Sequence, residues 1–403
     1  MEKSHNLKRP NRWFRLHAWV GYKLSILMFV ICLTGTLATV SNEIDWLLNP
    51  LLRVEAQDEP IAWEAMSVSF AASYPDSRLG YLQAPLYANF ASIGLMYRSD
   101  GVLRRVFFDP YTGEVRGDLP WPASAQRILR DMHRFLFFPV SFGAYLVSSF
   151  GVVMLISVVT AFFVYKKWWR GFFQLRFNRG WRILFGDLHR LLGVWSLWFL
   201  LIIGATGVWY LVERVANDTG YSFNTPTPIS TLQEGDERQL LPLSRVLEIV
   251  SQEMPDLQPR FVSLGAVIGD RVQPALISGR TATPLVRDAA NRVVVNPISG
   301  DVVMTTRASE QGLGFFLLES MDPLHFGDFA GIVSKAIYFL FGLFTLLMSA
   351  TGIWMWLRRN NSREQRGLDY SKMGWLKHTS LFVVTLGISW GVYTISSSLS
   401  LFQ

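Results

Sequence analysis

Five stretches of the chain are apolar and long enough to cross a bilayer, at about 20 to 40, 142 to 165, 191 to 212, 332 to 357 and 379 to 399. A hydrocarbon core about 30 Å thick takes roughly 20 residues of helix, and a helix satisfies its own backbone where no water can. The fifth run is the most dilute, because Ser396, Ser397 and Ser398 interrupt it. Half of the 403 residues are hydrophobic and only 17% are charged, which excludes an ordinary water-soluble domain.

Charge orients these runs. Residues 1 to 15 carry five Lys or Arg, Lys166 to Arg182 carries six and Arg358 to Lys377 six more, against Glu2, Glu364 and Asp369 alone. These segments hold a net +14, so the rest of a +7 chain sums to −7. By the positive-inside rule they are expected in the cytoplasm of a multi-pass inner-membrane protein, with the N-terminus cytoplasmic and the C-terminus periplasmic. The basic balance therefore reads as membrane topology and gives no reason to expect a nucleic-acid partner. Trp168, Trp169, Phe172, Phe173 and Trp181 among the basic residues of 166 to 182 suit a segment lying on anionic lipid. The lone Cys32 lies in the first run, so no intrachain disulfide is possible. The first run also has the look of a signal peptide, but its length favours an uncleaved anchor.

The chain repeats itself. Leu16-His17 with Gly21 opens the first run and Leu188-His189 with Gly193 the third, and Thr34-Gly35 and Thr206-Gly207 each place Gly 18 residues after the His. His133 and His325 precede the second and fourth runs at an offset of 192. Between the paired runs, a helix near Ile61 to Ser73 stops at Tyr74-Pro75-Asp76, and one near Leu243 to Glu253 stops at Met254-Pro255-Asp256. Each segment then reaches a like turn, Asp109 to Val115 and Asn296 to Val302, with strands expected around 78 to 83, 88 to 97 and 102 to 108 in the first. The spacing predicts an α-helical membrane bundle of four repeat-related spans plus a fifth C-terminal one, with two duplicated α+β outer domains. The expected divisions are residues 1–41 (tail and first span), 42–131 (first outer domain), 132–213 (second and third spans with loop 166–182), 214–322 (second outer domain, opening on a linker at 216–241) and 323–403 (fourth and fifth spans with loop 358–377).

Only six histidines are present, at 5, 17, 133, 189, 325 and 378, and four of them hold the repeated positions. One histidine at a membrane edge has a plain role as an interfacial or hydrogen-bonded residue. Four at duplicated positions point to a cofactor, since intramembrane ionisable groups are costly. Haem iron takes one axial imidazole from each of two facing helices, whereas a zinc or copper cage would recruit Cys, Asp or closely spaced His. His17 and His133 lie at opposite ends of spans about 30 Å long, so pairing runs across the repeats. His17 is expected with His189 at the cytoplasmic edge and His133 with His325 at the outer edge, as axial ligands of two bis-histidine haems b. One site with two spare histidines would leave the same pattern. His378 is a candidate substitute ligand or propionate partner, and His5 a solvated tail residue. Gly21, Gly35, Gly193, Gly204 and Gly207 allow a macrocycle or another helix to approach closely. Trp195, Trp198, Trp209, Trp354 and Trp356 suit either a pocket lining or interfacial belts.

These motifs resemble the PepSY-associated transmembrane family, and within it the membrane-bound siderophore reductases. The resemblance rests on the Leu-His entries at 16 to 21 and 188 to 193, the Thr-Gly pairs, the two closing turns, and His133 and His325, and it runs to about residue 358. It implies PepSY-like periplasmic domains, haem in the bundle, and electron delivery to a ferric siderophore or other ferric chelate in the periplasm. The chain has no dinucleotide fingerprint: Gly312-Leu313-Gly314 falls on the outer side, so the expected donor is a separate cytoplasmic reductase or a quinol. No acid/base or nucleophile constellation stands out, and no catalytic residue is expected beyond the cofactor ligands. A reading of another class is a non-enzymatic anchor, permease or binding module whose outer domains bind a peptide, protease or siderophore.

Overall fold

The computed structural model describes residues 11–223, 226–231, 239–359 and 374–400. His5, the first ten residues, most of the basic loop 358–377 and part of the linker 216–241 lie outside them. Contacts divide the chain into a helical unit (Met1–Val40, Leu129–Tyr221, His325–Thr394) and a sheet unit (Ser41–Ile128, Ser222–Leu324, Ile395–Gln403).

Chain order gives helices α1 (Arg12–Lys23), α2 (Ser25–Thr39), α3 (Ser41–Leu48), α4 (Trp63–Ser73), α5 (Ala125–Phe135), α6 (Val140–Val164), α7 (Trp181–Trp195), α8 (Leu197–Asp218), α9 (Leu243–Glu253), α10 (Leu313–Phe326), α11 (Gly331–Arg359) and α12 (Trp375–Ser400). Four of these, α6, α8, α11 and α12, are long and apolar enough to span a membrane, and a fifth span is counted if α1 and α2 are taken together. The first span is not straight: α1 and α2 bend by 67° at a break that falls on Leu24. The third run breaks at Ser196, where the backbone leaves helical geometry between α7 and α8. His17 and His189 therefore sit on the helices before these breaks, α1 and α7, and not on α2 and α8. Likewise His133 is near the end of α5, ahead of the reversal at Leu136 to Pro139, and His325 is near the end of α10. Leu136 and Phe137 hold φ of 51° and 61° in that reversal, a left-handed backbone that side chains resist. Glycines of α12 accept the corner: a Cβ at Gly391 would stand 2.6 Å from the Phe137 ring, and one at Gly387 would collide with the Leu136 carbonyl.

Most of the motif glycines serve helix packing. A Cβ at Gly207 would stand 3.2 Å from the Cα of Gly151, and one at Gly204 2.8 Å from Leu155, which is where α6 and α8 cross. Gly35 differs, as described below. The tryptophans also pack with neighbours: Trp198 against Phe199, Tyr338 and Phe341, Trp356 on Tyr22, and Trp354 edge-on to Phe185.

In the sheet unit the strands are β1 (Ser77–Gln83), β2 (Ser92–Arg98), β3 (Leu103–Phe108), β4 (Val115–Pro120), β5 (Ser230–Thr231), β6 (Gln258–Ser263), β7 (Ala266–Ile268), β8 (Arg271–Gln273), β9 (Ala275–Arg280), β10 (Asn291–Val295) and β11 (Val302–Thr306). Eight form one antiparallel sheet in the order β11-β10-β9-β6-β1-β2-β3-β4, and β5-β8-β7 form a small second one. The segments expected as two separate outer domains are thus halves of one sheet, joined where β1 and β6 pair Leu82 with Val262 and Gln83 with Phe261. Joining them removes two exposed strand edges. It also merges two apolar faces, so that Met66, Phe70 and Leu82 share a core with Val246, Val250 and Val262. Each half runs helix and then a four-stranded meander, α4 before β1 to β4 and α9 before β6, β9, β10 and β11. The closing turns have one chemistry: Asp109 Oδ1 accepts from the N–H groups of Tyr111 and Thr112, and Asn296 Oδ1 from those of Ile298 and Ser299. Gly113 and Gly300 follow at φ of 77° and 82°.

Candidate functional site

The four repeated histidines meet in two pairs within the helical unit. His17 of α1 faces His189 of α7 with ring centroids 6.5 Å apart and planes at 76°. His133 of α5 faces His325 of α10 at 6.2 Å, planes at 29°. These are the partners expected from the repeat. All four side chains are half-buried. His378 is exposed on α12, and both pairs form without it.

Each histidine reaches across to another helix through Nδ1. His17 Nδ1 lies 3.1 Å from both the Ser157 carbonyl and Thr160 Oγ1 on α6. His189 Nδ1 lies 2.8 Å from the Met348 carbonyl and 3.4 Å from Thr351 Oγ1 on α11. His133 Nδ1 lies 3.0 Å from the Ile31 carbonyl on α2, and His325 Nδ1 2.8 Å from Thr206 Oγ1 on α8. Carbonyl oxygens only accept. The three threonine hydroxyls already donate to carbonyls one turn back in their own helices, Thr160 to Ile156, Thr351 to Leu347 and Thr206 to Ile202. In all four rings Nδ1 is consequently the donor, and the lone pair falls on Nε2. That is the tautomer of an imidazole ready to bind a metal through Nε2, with its other nitrogen anchored.

The threonines were only half legible in the sequence. Thr34-Gly35 and Thr206-Gly207 were visible as motifs, and Thr351 carries the same pairing with Gly352, but Thr160, 191 residues before Thr351, is followed by Ala161 and carries no such signature. Their signal was the same near-constant offset that relates His133 to His325. Glycine completes the seat on two rings. A Cβ at Gly35 would stand 2.7 Å from His133 Cε1, and one at Gly352 3.0 Å from His189 Cε1.

The pairs lie at opposite ends of the same spans. From the start of α6 beside His133 to Ser157 and Thr160 beside His17 is 17 to 20 residues, and Gly331 to Met348 and Thr351 on α11 is the same interval. At about 1.5 Å of rise per residue each interval is roughly 25–30 Å. Tyr210 stands edge-on to His325 at 5.0 Å, and Arg130 lies 5.4 Å over the adjacent Phe326 ring. Beside His189, Asp187 is ion-paired with Arg176 and Arg190.

The family model for the PepSY-associated TM region matches residues 14–359, which includes all four histidines. The chain belongs to that family. It is also similar to a Pseudomonas aeruginosa protein whose own name records it as uncharacterized, with 24% identity over 267 residues. That match covers 58% of this chain and 64% of the relative, so the chain spans less than two thirds of the relative's length.

The residues present fit a bis-histidine haem. A histidine nitrogen binds a metal ion at about 2 Å and the ring centroid lies ~1.1 Å further back, so rings on opposite sides of one ion stand roughly 6 Å apart. Both pairs have that spacing. Among the described residues no three His, Cys, Asp or Glu converge into a metal cage; the histidines come in twos.

Proposed function

We propose that this member of the family is an inner-membrane oxidoreductase that holds two b-type haems and passes electrons across the membrane to a ferric siderophore or another ferric chelate in the periplasm. The observation that carries the reading is the pair geometry: centroids at 6.5 and 6.2 Å, with every Nδ1 engaged by a helix other than the one that carries the partner ring. Haem bound at each pair would supply reversible one-electron storage at the two ends of the spans. His17 and His189 would hold the group at the end where the basic segments gather, and His133 and His325 the group at the other. Thr160, Thr351 and Thr206, with the carbonyls of Ser157, Met348 and Ile31, fix each ring's tautomer and direction. Gly35 and Gly352 keep the neighbouring helix wall thin enough for the rings to lie against it.

The sheet unit is read as two PepSY-like halves on the periplasmic side, where they offer a surface to the chelate. Hard-oxygen chelators prefer Fe(III), so one-electron reduction loosens their grip and aids iron release. The donor is read as a separate cytoplasmic reductase or a membrane quinol. The test is to add a ferric siderophore to proteoliposomes on the sheet-unit side after reduction of the protein. Reoxidation of the b-type spectrum at a rate that rises with chelate concentration is expected. A haem-loaded protein that stays reduced would instead favour the binding or transport module.

A further inference from the structure

At the start of α7 an open cavity of about 700 Å³ is lined by Arg179, Arg182 and Arg358 together with Trp181, Phe185 and Trp354. Three guanidiniums on one cavity repel one another, and among the described residues none of the three has a carboxylate partner. The nearby Asp187 is already committed to Arg176 and Arg190. Gly180 precedes the 15-residue helix at φ 83° and has no side chain to cap it, so the first-turn N–H groups of α7 add their own positive potential to the same cavity. Its other wall is aromatic: Phe185 meets Trp354 edge-on at 4.6 Å and Trp181 at 5.7 Å, and Arg358 lies 5.2 Å over the Trp354 ring.

We propose that this cavity binds the phosphate headgroup of an anionic phospholipid, with the acyl chains lying along Phe185 and Trp354. Location favours a lipid over a soluble phosphate. Arg358 closes the candidate span Gly331–Arg358, so the cavity lies at headgroup depth. The segment leading into it exposes Trp169 (58%), Phe173 (80%) and Phe177 (69%), side chains that suit the interface of a bilayer better than water. Basic clusters at such ends recognise acidic headgroups at a cost or gain that scales with each charge. The proposal does not depend on the redox reading.

The experiment measures binding of phosphatidylglycerol to the full-length protein in neutral detergent, by native mass spectrometry and by the rise in its unfolding temperature. Phosphatidylcholine and inorganic phosphate serve as the other arms. The expected result is a saturable response to phosphatidylglycerol alone, weakened on the order of a hundredfold in the variant Arg179→Gln/Arg182→Gln/Arg358→Gln. A control of equal charge change, Lys166→Gln/Lys167→Gln/Arg170→Gln, keeps the response. An equal response to phosphatidylcholine, an equal response to inorganic phosphate, or equal losses in the two variants would each overturn the proposal. Arg358→Gln alone, expected to weaken binding several-fold, provides the test should the triple variant fold poorly.

Discussion

Thr206 gives the sharpest test of the histidine seats. Three of the four rings donate from Nδ1 to a backbone carbonyl, whereas the acceptor at 2.8 Å from His325 Nδ1 is the Thr206 hydroxyl. Thr206→Val keeps the shape of the side chain and takes away that acceptor. The Ile202 carbonyl loses a second donor but keeps its helical one. A buried N–H left without an acceptor costs about 1–3 kcal/mol, and loss of the partner behind a metal-bound histidine typically costs about 10–100-fold in affinity. Thr351→Val makes the same chemical change behind His189, but there the Met348 carbonyl remains at 2.8 Å, so an effect of about twofold or less is expected. Each substitution is made with the other pair disabled: Thr206→Val in a His189→Ala background and Thr351→Val in a His325→Ala background. Haem binding and the reduction midpoint are then measured. Thr206→Val should weaken binding 10–100-fold and raise the midpoint, because a less basic imidazole stabilises ferric iron less. Thr206→Ser should restore both. Equal effects of the two valines would refute the argument that Thr206 is the acceptor that matters.

Other outcomes follow from the same contacts. Gly35→Ala should drive His133 aside and abolish haem binding at the His133–His325 pair, while Gly352→Ala, whose Cβ meets His189 at 3.0 Å, should perturb the His17–His189 pair more mildly; haem stoichiometry reads both. Gly387→Val puts a branched side chain onto the Leu136 carbonyl and should destabilise the strained corner that follows His133 by about 1–3 kcal/mol, seen as early loss of haem from the His133–His325 pair on heating. In the sheet unit, hydrogen bonding from Arg307 holds the Asp256 carboxyl below its ordinary range. A carboxylate depressed in the folded state contributes stability above its unfolded pKa, and that contribution disappears as pH falls through the folded value. Arg307→Gln should accordingly narrow the gap in unfolding temperature between pH 5 and pH 3, and an unchanged gap would count against the pairing.

What the sequence made legible was whatever repeated. His17, His133, His189 and His325 stood out because duplication fixed their register, and the pairing across repeats followed from span length alone. The breaks at Leu24 and Ser196 were not legible: neither position is Pro or Gly, and a lone Lys23, Ser25 or Ser196 is tolerated inside a helix. The joining of the outer segments was hidden for a related reason. Leu82 and Val262 lie 180 residues apart, and nothing local in β1 or β6 marks them as central instead of edge strands. β4 was missed because Val115 to Pro120 contains Gly117 and Asp118, which read as loop, although the strand pairs with β3 along its length. The glycines divided only once neighbours were known: Gly207 meets Gly151, but Gly35 meets His133.

The central claim is that the two pairs are two haem sites, and counting haem per chain in protein purified from haem-replete cells tests it most directly. The account predicts two b-type haems per chain in the wild type and one in either His189→Ala or His325→Ala. A protein that carries none under those conditions, or one whose count is unchanged by both substitutions, would contradict it.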